Sequence, residues 1–429
     1  MANKKTPTSG VSTPFDKIND LLSSINPDGG MMDVNPLAKI DEWIPTGNYI
    51  LNAVLSGSIF GGVPNRRSLV LAGEEGTAKT FLAMSIVREA LKMGYHPIYF
   101  DSEGAIDTEF TRRLGVDPSK VRLEPINTIE DFSHIAAQIV SVYEKAKEEA
   151  KKKKKDIPKI LVILDSLGNL TSKKEKIDTT EGSDKRDMTK QQSIRKLFRV
   201  NGLQFAKNGI PFIIVNHVYD SMSMFSPKEI SGGGGVKYNA SIILQLGKGA
   251  LKDAEGKKKA AQKNVDPSRL GVTIYINPYK QRFARPIKVQ IHIPYYKPPN
   301  PYVGLEPFVN WETCGIIRGK ILTEGEYNEL TKAKKDKCHE FKGPIIDDET
   351  GEKRKITCYA LPDKEADTLV VKHLGGEIPL KELFTEKVFT EEILKQMDEK
   401  IIKPTFQLPD LYSLEEEMED LKELLDEEN

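Results

Sequence analysis

Cysteine is scarce: Cys314, Cys338 and Cys358 are the only three in 429 residues. So few exclude a disulfide framework and suit a reducing compartment. Cys338-His339, taken with the other two cysteines, matches no recurring zinc spacing. No apolar run approaches the ~18 residues of a membrane-spanning helix. No apolar segment follows Met1-Ala2-Asn3-Lys4-Lys5, so no secretory signal is expected, and the chain reads as a soluble intracellular protein without a membrane partner. Net charge is also missing, because 63 basic and 63 acidic residues cancel. A zero sum does not exclude a polyanionic partner, since distribution matters more. Lysine crowds the middle, with a run at Lys151–Lys155 that reads first as a solvated loop. Acid gathers at 413–428, an expected acidic, partly amphipathic tail. No internal repeat is present, and the length allows two or three domains.

What the chain does carry is a phosphate-loop pattern. Leu69-Val70-Leu71-Ala72 reads as a short buried strand, and Phe81 onward as an apolar helix ending at Gly94. Between them, Gly73-Glu74-Glu75-Gly76-Thr77-Ala78-Lys79-Thr80 follows G-x-x-x-x-G-K-[ST], except that Ala78 replaces the second glycine. Successive amides at a helix N-terminus make an anion nest. Lys79 can reach the β- and γ-phosphates, and the Thr80 hydroxyl can ligate Mg²⁺. Ala78 implies a backbone there that avoids the conformations reserved for glycine.

Three further apolar runs end in polar side chains: Ile98-Tyr99-Phe100-Asp101-Ser102-Glu103, Ile160 to Asp165-Ser166, and Ile210 to Asn216-His217. Runs of this kind are the signature of buried parallel strands, whose carboxyl ends collect function. Glu103 is then placed to orient a water near a γ-phosphate, and Asp165 to associate with Mg²⁺. Helices are expected at 50–55, 128–150 and 189–207. Residues 171–190 and 218–237 read as long loops, 250–269 as a Lys-rich hairpin end, and 272–276 with 287–293 as two antiparallel strands. Phe15, Ile18, Leu21, Leu22 and Ile25 make an amphipathic helix that docks on something or frays. Residues 300–405 read as short helices and loops.

These motifs, in this order, resemble the RecA family of recombinases, and within it the branch carried by T-even phages. Tyr99 to Glu103, Asp165 to Leu170 with Ser172-Lys173-Lys174-Glu175, Asn216-His217, Asp187-Met188-Thr189, Ser193 to Arg199 and Met224-Phe225-Ser226 carry the resemblance, which covers roughly 36–300. It implies an α/β fold: a RecA-type P-loop ATPase core of mostly parallel twisted sheet flanked by helices, over 36–300. Before it lies an N-terminal arm, 1–35, used for oligomerisation; after it an α+β module, 301–405, and an acidic tail, 406–429. It implies ATP and Mg²⁺, with Gly73 to Thr80 on the triphosphate and Asp107 and Phe110 at the adenine. Glu103, Lys79 and His217 would be catalytic, His217 sensing the γ-phosphate, and Lys280 and Arg282 would complete a neighbouring subunit's site. Ala78 fits the phage branch, which also lacks the second loop glycine. DNA would meet Lys173, Lys174, Arg195, Arg199, Met224, Phe225, Gly232, Gly233 and Gly234. The implied partners are single- and double-stranded DNA, further copies in a helical filament, and mediator and single-strand-binding proteins. The implied setting is the cytoplasm of a phage-infected bacterium. A helicase-like motor on the same core is the alternative, and a non-enzymatic ATP binder a third possibility that Glu103 opposes.

Overall fold

Strand side chains alternate between two faces, and here both faces are apolar, which forces helices onto each. The computed structural model describes residues 13–180, 189–219, 228–249, 271–294, 298–346 and 353–409. In chain order these form α1 (Pro14–Ile25), β1 (Trp43–Ile44), α2 (Tyr49–Ser56), β2 (Val63–Pro64), β3 (Ser68–Gly73), α3 (Lys79–Lys92), β4 (Tyr95–Asp101), α4 (Thr108–Arg113), β5 (Arg122–Pro125) and α5 (Ile129–Lys153). Then come β6 (Lys159–Asp165), α6 (Lys173–Thr180), α7 (Thr189–Leu197), α8 (Leu203–Asn208), β7 (Phe212–Tyr219), β8 (Glu229–Ile230), α9 (Gly233–Asn239), β9 (Ile242–Lys248), β10 (Gly271–Lys280) and β11 (Val289–Pro294).

The central sheet runs β11-β10-β9-β3-β7-β6-β4-β5, with the short β8 paired to β7. Strands from β9 to β5 are parallel, and β10 and β11 close one edge antiparallel as expected. Leu69, Leu71, Tyr99, Ile163, Ile213 and Leu244 pack under α2 and α3. Val70, Ala72, Phe100, Val162, Ile214 and Ile243 face α5, α7, α8 and α9. Each of the larger aliphatic or Phe side chains contributes about 1.5–3 kcal/mol by leaving water, so both helical layers are fixed by the strand pattern.

Several segments differ from their sequence reading. Residues 173–180 are helical rather than looped: Glu175 N–H donates to Ser172 Oγ at 2.9 Å and Ser172 N–H to Glu175 Oε2 at 3.3 Å, a capping box. Gly233 to Gly235 of the tetraglycine segment are also helical, with Gly232 as the cap. A Cβ on Gly235 would sit 3.0 Å from Arg195 Cγ and 3.2 Å from Ile194 Cγ2, so glycine there lets α9 pack closely on α7. Helix α5 runs on through Lys153, into the lysine run. The 189–207 helix is split by a π-helical turn at Phe198–Gly202. Helix α4 and strand β5 had no counterpart in the sequence reading. The expected Lys-rich segment, 250–269, and residues 410–429 of the acidic tail lie outside the described residues, whereas Phe406, at the start of that tail, is buried in the core.

Residues 300–405 combine short helices with a five-stranded antiparallel sheet, which the expected α+β module requires and which the reading of short helices and loops lacked. Its strands are β12 (Ile316–Leu322), β13 (His339–Ile346), β14 (Lys353–Pro362), β15 (Thr368–Val371) and β16 (Gly376–Pro379), in order β13-β14-β12-β15-β16. The reason is non-local pairing: β12 joins β14 at Gly319↔Pro362 and β15 at Ile316↔Val371. Cys314 and Cys358 are buried, and no group of three metal-ligating side chains occurs among the described residues. No described helix is long and apolar enough to cross a membrane.

Asp398 ties this region to the core. Its carboxylate accepts from Ser58 Oγ at 2.7 Å and from the Ile59 N–H at 2.8 Å, and its side chain is 3% exposed. Asp398→Ala leaves the buried Ile59 amide unpaired, and should cost about 2 kcal/mol. A denaturation midpoint unchanged from the parent would contradict this tie.

Candidate nucleotide site and nucleic-acid interface

The loop between β3 and α3 is held shut by its own side chains. Thr77 Oγ1 donates to Glu74 O at 2.8 Å, and Lys79 Nζ donates to Gly73 O at 3.0 Å and Glu74 O at 2.8 Å. Lys79 is buried, which pulls its pKa down, while Glu103, Asp165 and Glu75 pull the other way. A Cβ on Gly73 would lie 2.4 Å from Thr77 Oγ1 and 2.9 Å from Leu246 O, so the cradle requires glycine there. Ala78 corrects its sequence reading: it sits at φ 61°, ψ 26°, in the left-handed region that it was expected to avoid. That conformation costs an alanine roughly 1 kcal/mol or more. Lys228, which sequence reasoning missed, pairs with Glu74.

Parallel register brings the other candidates to the same edge. Gly73 lies opposite His217, and Asp101 opposite Asp165. Thr80 Oγ1 donates to Asp165 Oδ2 at 2.7 Å, joining the first turn of α3 to the tip of β6. Tyr99 OH donates to that same oxygen at 2.6 Å. Burial raises the Asp165 pKa, these two hydrogen bonds lower it, and the charges of Glu103 and Asp101 raise it further. Asp165 Oδ1 is buried and has no hydrogen-bond partner among the described residues. An orphaned carboxylate oxygen beside a threonine hydroxyl fits Mg²⁺, which keeps most of its waters and takes one or two protein ligands.

Glu103 Oε1 receives Ser166 Oγ at 2.5 Å and meets His217 Nε2 at 2.8 Å. Burial opposes its charge, but those hydrogen bonds and the charges of His217 and Lys79 outweigh burial and hold its pKa below the ordinary value. Glu103 is therefore an ionised acceptor a quarter exposed, able to orient a water. His217 also links outward: its carbonyl accepts the Ser231 N–H at 3.0 Å, and the buried Asn216 donates to Ser231 O at 2.8 Å. Ser166 and Asn216 had no assigned contact in sequence reasoning.

The remaining candidates separate into groups. Asp107 caps α4 by accepting the Phe110 N–H at 2.7 Å, and Phe110 packs partly on the core. Lys173 pairs with Asp131 at 2.8 Å, and Lys174 is exposed; both follow the β6 tip. Gly232 is in contact range of Val236 and Ile194, and Gly234 of Tyr238, whereas a Cβ on Gly233 would meet open space. Arg195 lies beside Gly234 and Gly235. Met224 and Phe225 lie outside the described residues.

Lys280 and Arg282 are distant from this chain's own loop. Lys280 pairs with Ile243, which is level with Val70, three residues or about 10 Å below Gly73 along the strands. Its ammonium donates to Lys237 O and Tyr238 O, both at 2.9 Å. Burial, then repulsion by Arg282, lowers its pKa. Arg282 lines a cleft of about 480 Å³ at the start of β3, with Arg66, Arg67 and Arg199. Arg199 thus groups with Arg282 and not with Arg195. Arg66 is paired with Asp41 at 2.7 Å, and Arg67 donates to Leu37 O at 2.8 Å.

A family model described as the RecA N-terminal domain matches residues 18–296. The chain is 27% identical to the recombination and repair protein of enterobacteria phage T4, over 69% of this chain and 73% of that protein. It is 24% identical to protein RecA of Thermus aquaticus, over 70% of this chain and 79% of that one. To protein RecA of Wolbachia pipientis from Culex pipiens it is 29% identical, over 52% of this chain and 58% of the relative.

Ala78→Gly removes the left-handed strain, so it should stabilise the fold by about 0.5–1 kcal/mol. Calorimetry showing a loss of about 1 kcal/mol, as for glycine inside an ordinary helix, would contradict the assigned loop conformation.

Proposed function

The chain belongs to the RecA family, and from that premise we propose that it is an ATP-dependent DNA recombinase. It polymerises on single-stranded DNA, pairs that strand with a homologous duplex and exchanges strands, and it releases DNA as ATP is hydrolysed to ADP and phosphate. The observation that carries this reading is the convergence of Lys79, the Thr80–Asp165 pair and the Glu103–His217 pair on one sheet edge.

The loop amides bind the triphosphate, and Lys79 exchanges its two carbonyl partners for phosphate oxygens. Thr80 and Asp165 hold Mg²⁺, which when bound neutralises charge on the phosphates. Glu103 accepts a hydrogen bond from the attacking water and sets its line of approach. Ser166 and His217 keep that carboxylate ionised and aimed. Phe110 offers a flat face to adenine, with Asp107 beside it.

Head-to-tail assembly is supported by position and charge. Lys280, Arg282 and the arginine cleft occupy the end of the sheet away from this chain's loop, where Lys280 and Arg282 are placed to meet an anion of a neighbouring copy. A heterologous contact of this kind propagates a helical filament. Helix α1 buries none of its residues in this chain, and Phe15, Leu21 and Leu22 are exposed, which supports arm 1–35 as an oligomerisation segment. Lys280 now caps α9. An ammonium drawn to a neighbour's phosphate has to release those carbonyls, which connects nucleotide to the glycine-rich segment.

Single-stranded DNA is assigned to Lys173, Lys174, Arg195, Gly232, Gly233 and Gly234, with Met224 and Phe225 supplying apolar contacts to bases. Lys173 and Lys174 follow the tip of β6 in the chain, and Gly232 to Gly234 follow β7 and β8. The open face at Gly233 and the exposed Lys174 favour phosphate contact. Residues 301–405 are proposed as an accessory module, and mediator and single-strand-binding proteins as further partners. The proposed setting is the cytoplasm of a phage-infected bacterium. Strand exchange without unwinding of a forked duplex separates this function from a helicase-like motor.

Glu103→Gln keeps the hydrogen-bond geometry and loses the charge. It should lower DNA-stimulated ATP turnover at least ~100-fold and leave ATP-dependent assembly on single-stranded DNA intact. Parental turnover in that variant would remove Glu103 from the water-orienting role.

A further inference from the structure

We propose that Tyr99 is a positioning residue for the metal side of the nucleotide site: its hydroxyl fixes which oxygen of Asp165 is offered to the bound metal. The assignment rests on the reading of this edge as a Mg²⁺–nucleotide site and adds a residue to it.

A carboxylate has two equivalent oxygens, and rotation about its terminal torsion exchanges them. Asp165 is asymmetric. Tyr99 OH at 2.6 Å and Thr80 Oγ1 at 2.7 Å both donate to Oδ2, and Oδ1 is left buried and without a partner among the described residues. Two donors on one oxygen hold the torsion, so Oδ1 is the acceptor kept available. Thr80 supplies one of these donors while its oxygen lone pairs stay free for a metal, and Tyr99 supplies the second.

The sheet explains why a tyrosine is needed. On β4, Tyr99 stands opposite Ile163 of β6, two residues and about 6.6 Å below Asp165 along the strand. A phenol spans that distance along the sheet face, and its ring is 0% exposed within the α3-side core. Phenylalanine would fill the same core volume and donate nothing. A tyrosine inside a buried strand reads as core in sequence, which is why only the structure brings it to the site.

Tyr99→Phe is therefore the test, with a non-hydrolysable fluorescent ATP analogue titrated in the absence of DNA. The Mg²⁺ concentration that gives half of the metal-dependent gain in nucleotide affinity should rise about tenfold. Affinity without Mg²⁺ should stay within about twofold, because the loop amides and Lys79 are untouched. In an Asp165→Asn background the same substitution should change the Mg²⁺ midpoint no further, since Tyr99 acts only through that carboxylate. A folded Tyr99→Phe protein with the parental Mg²⁺ midpoint, or an equal shift in the Asp165→Asn background, overturns the assignment. Absence of any Mg²⁺-dependent gain in the parent protein overturns the site reading itself.

Discussion

A parallel sheet has a polarity, and that polarity organises this molecule. Strands β3, β4, β6 and β7 all end at one edge, so the residues that terminate them meet there whatever their separation in sequence. Gly73, Glu103, Asp165 and His217 converge for this reason. The antiparallel β10 runs the other way and carries Lys280 and Arg282 to the far end. Those cations lie level with the start of β3 and not with the triphosphate loop, the placement from which the two-copy site is proposed.

The charged groups at both ends already have partners, and those partners are substitutes. Lys79 leans on two carbonyls of its own loop, Lys280 on two carbonyls of α9, and Glu103 on Ser166 and His217. Asp165 keeps a buried oxygen, Oδ1, without a hydrogen-bond partner among the described residues. Holding such groups out of water without ideal partners is costly. Ala78 adds backbone strain in the same loop. On the proposed reading nucleotide and metal relieve these terms, and hydrogen bonds connect Glu103 through His217 and Ser231 to the start of α9. Binding at the loop therefore has a physical route to the segment assigned to DNA.

Much of this was legible in sequence. Gly73 to Thr80 shows itself because a phosphate nest demands small residues at fixed spacing, and Asp165 and His217 because apolar strands end on them. Lys280 and Arg282 needed the family resemblance, since two cations near a strand end are ordinary surface residues. Other parts were illegible for identifiable reasons. Helix α9 defies the low helix propensity of glycine because contact with Ile194 and Arg195 leaves no room for a Cβ. The α6 helix was signalled by Ser172 and Glu175, three apart, inside a polar stretch that reads as loop. The C-terminal sheet depends on partners some 40 residues apart, as at Gly319↔Pro362, which a local pattern cannot reveal.

The central claim, that one copy's loop and the next copy's cations form a single catalytic unit, is tested most directly by mixing two inactive proteins. Lys79→Ala lacks the loop lysine and retains Lys280; Lys280→Ala lacks the donated cation and retains the loop. Each alone should be nearly inert in DNA-stimulated ATP hydrolysis. Mixed in equal amounts on single-stranded DNA, they should recover a substantial fraction of parental turnover, because some junctions pair an intact loop with an intact Lys280. Turnover of the mixture no greater than the sum of its parts, in filaments shown to contain both proteins, would contradict the shared site.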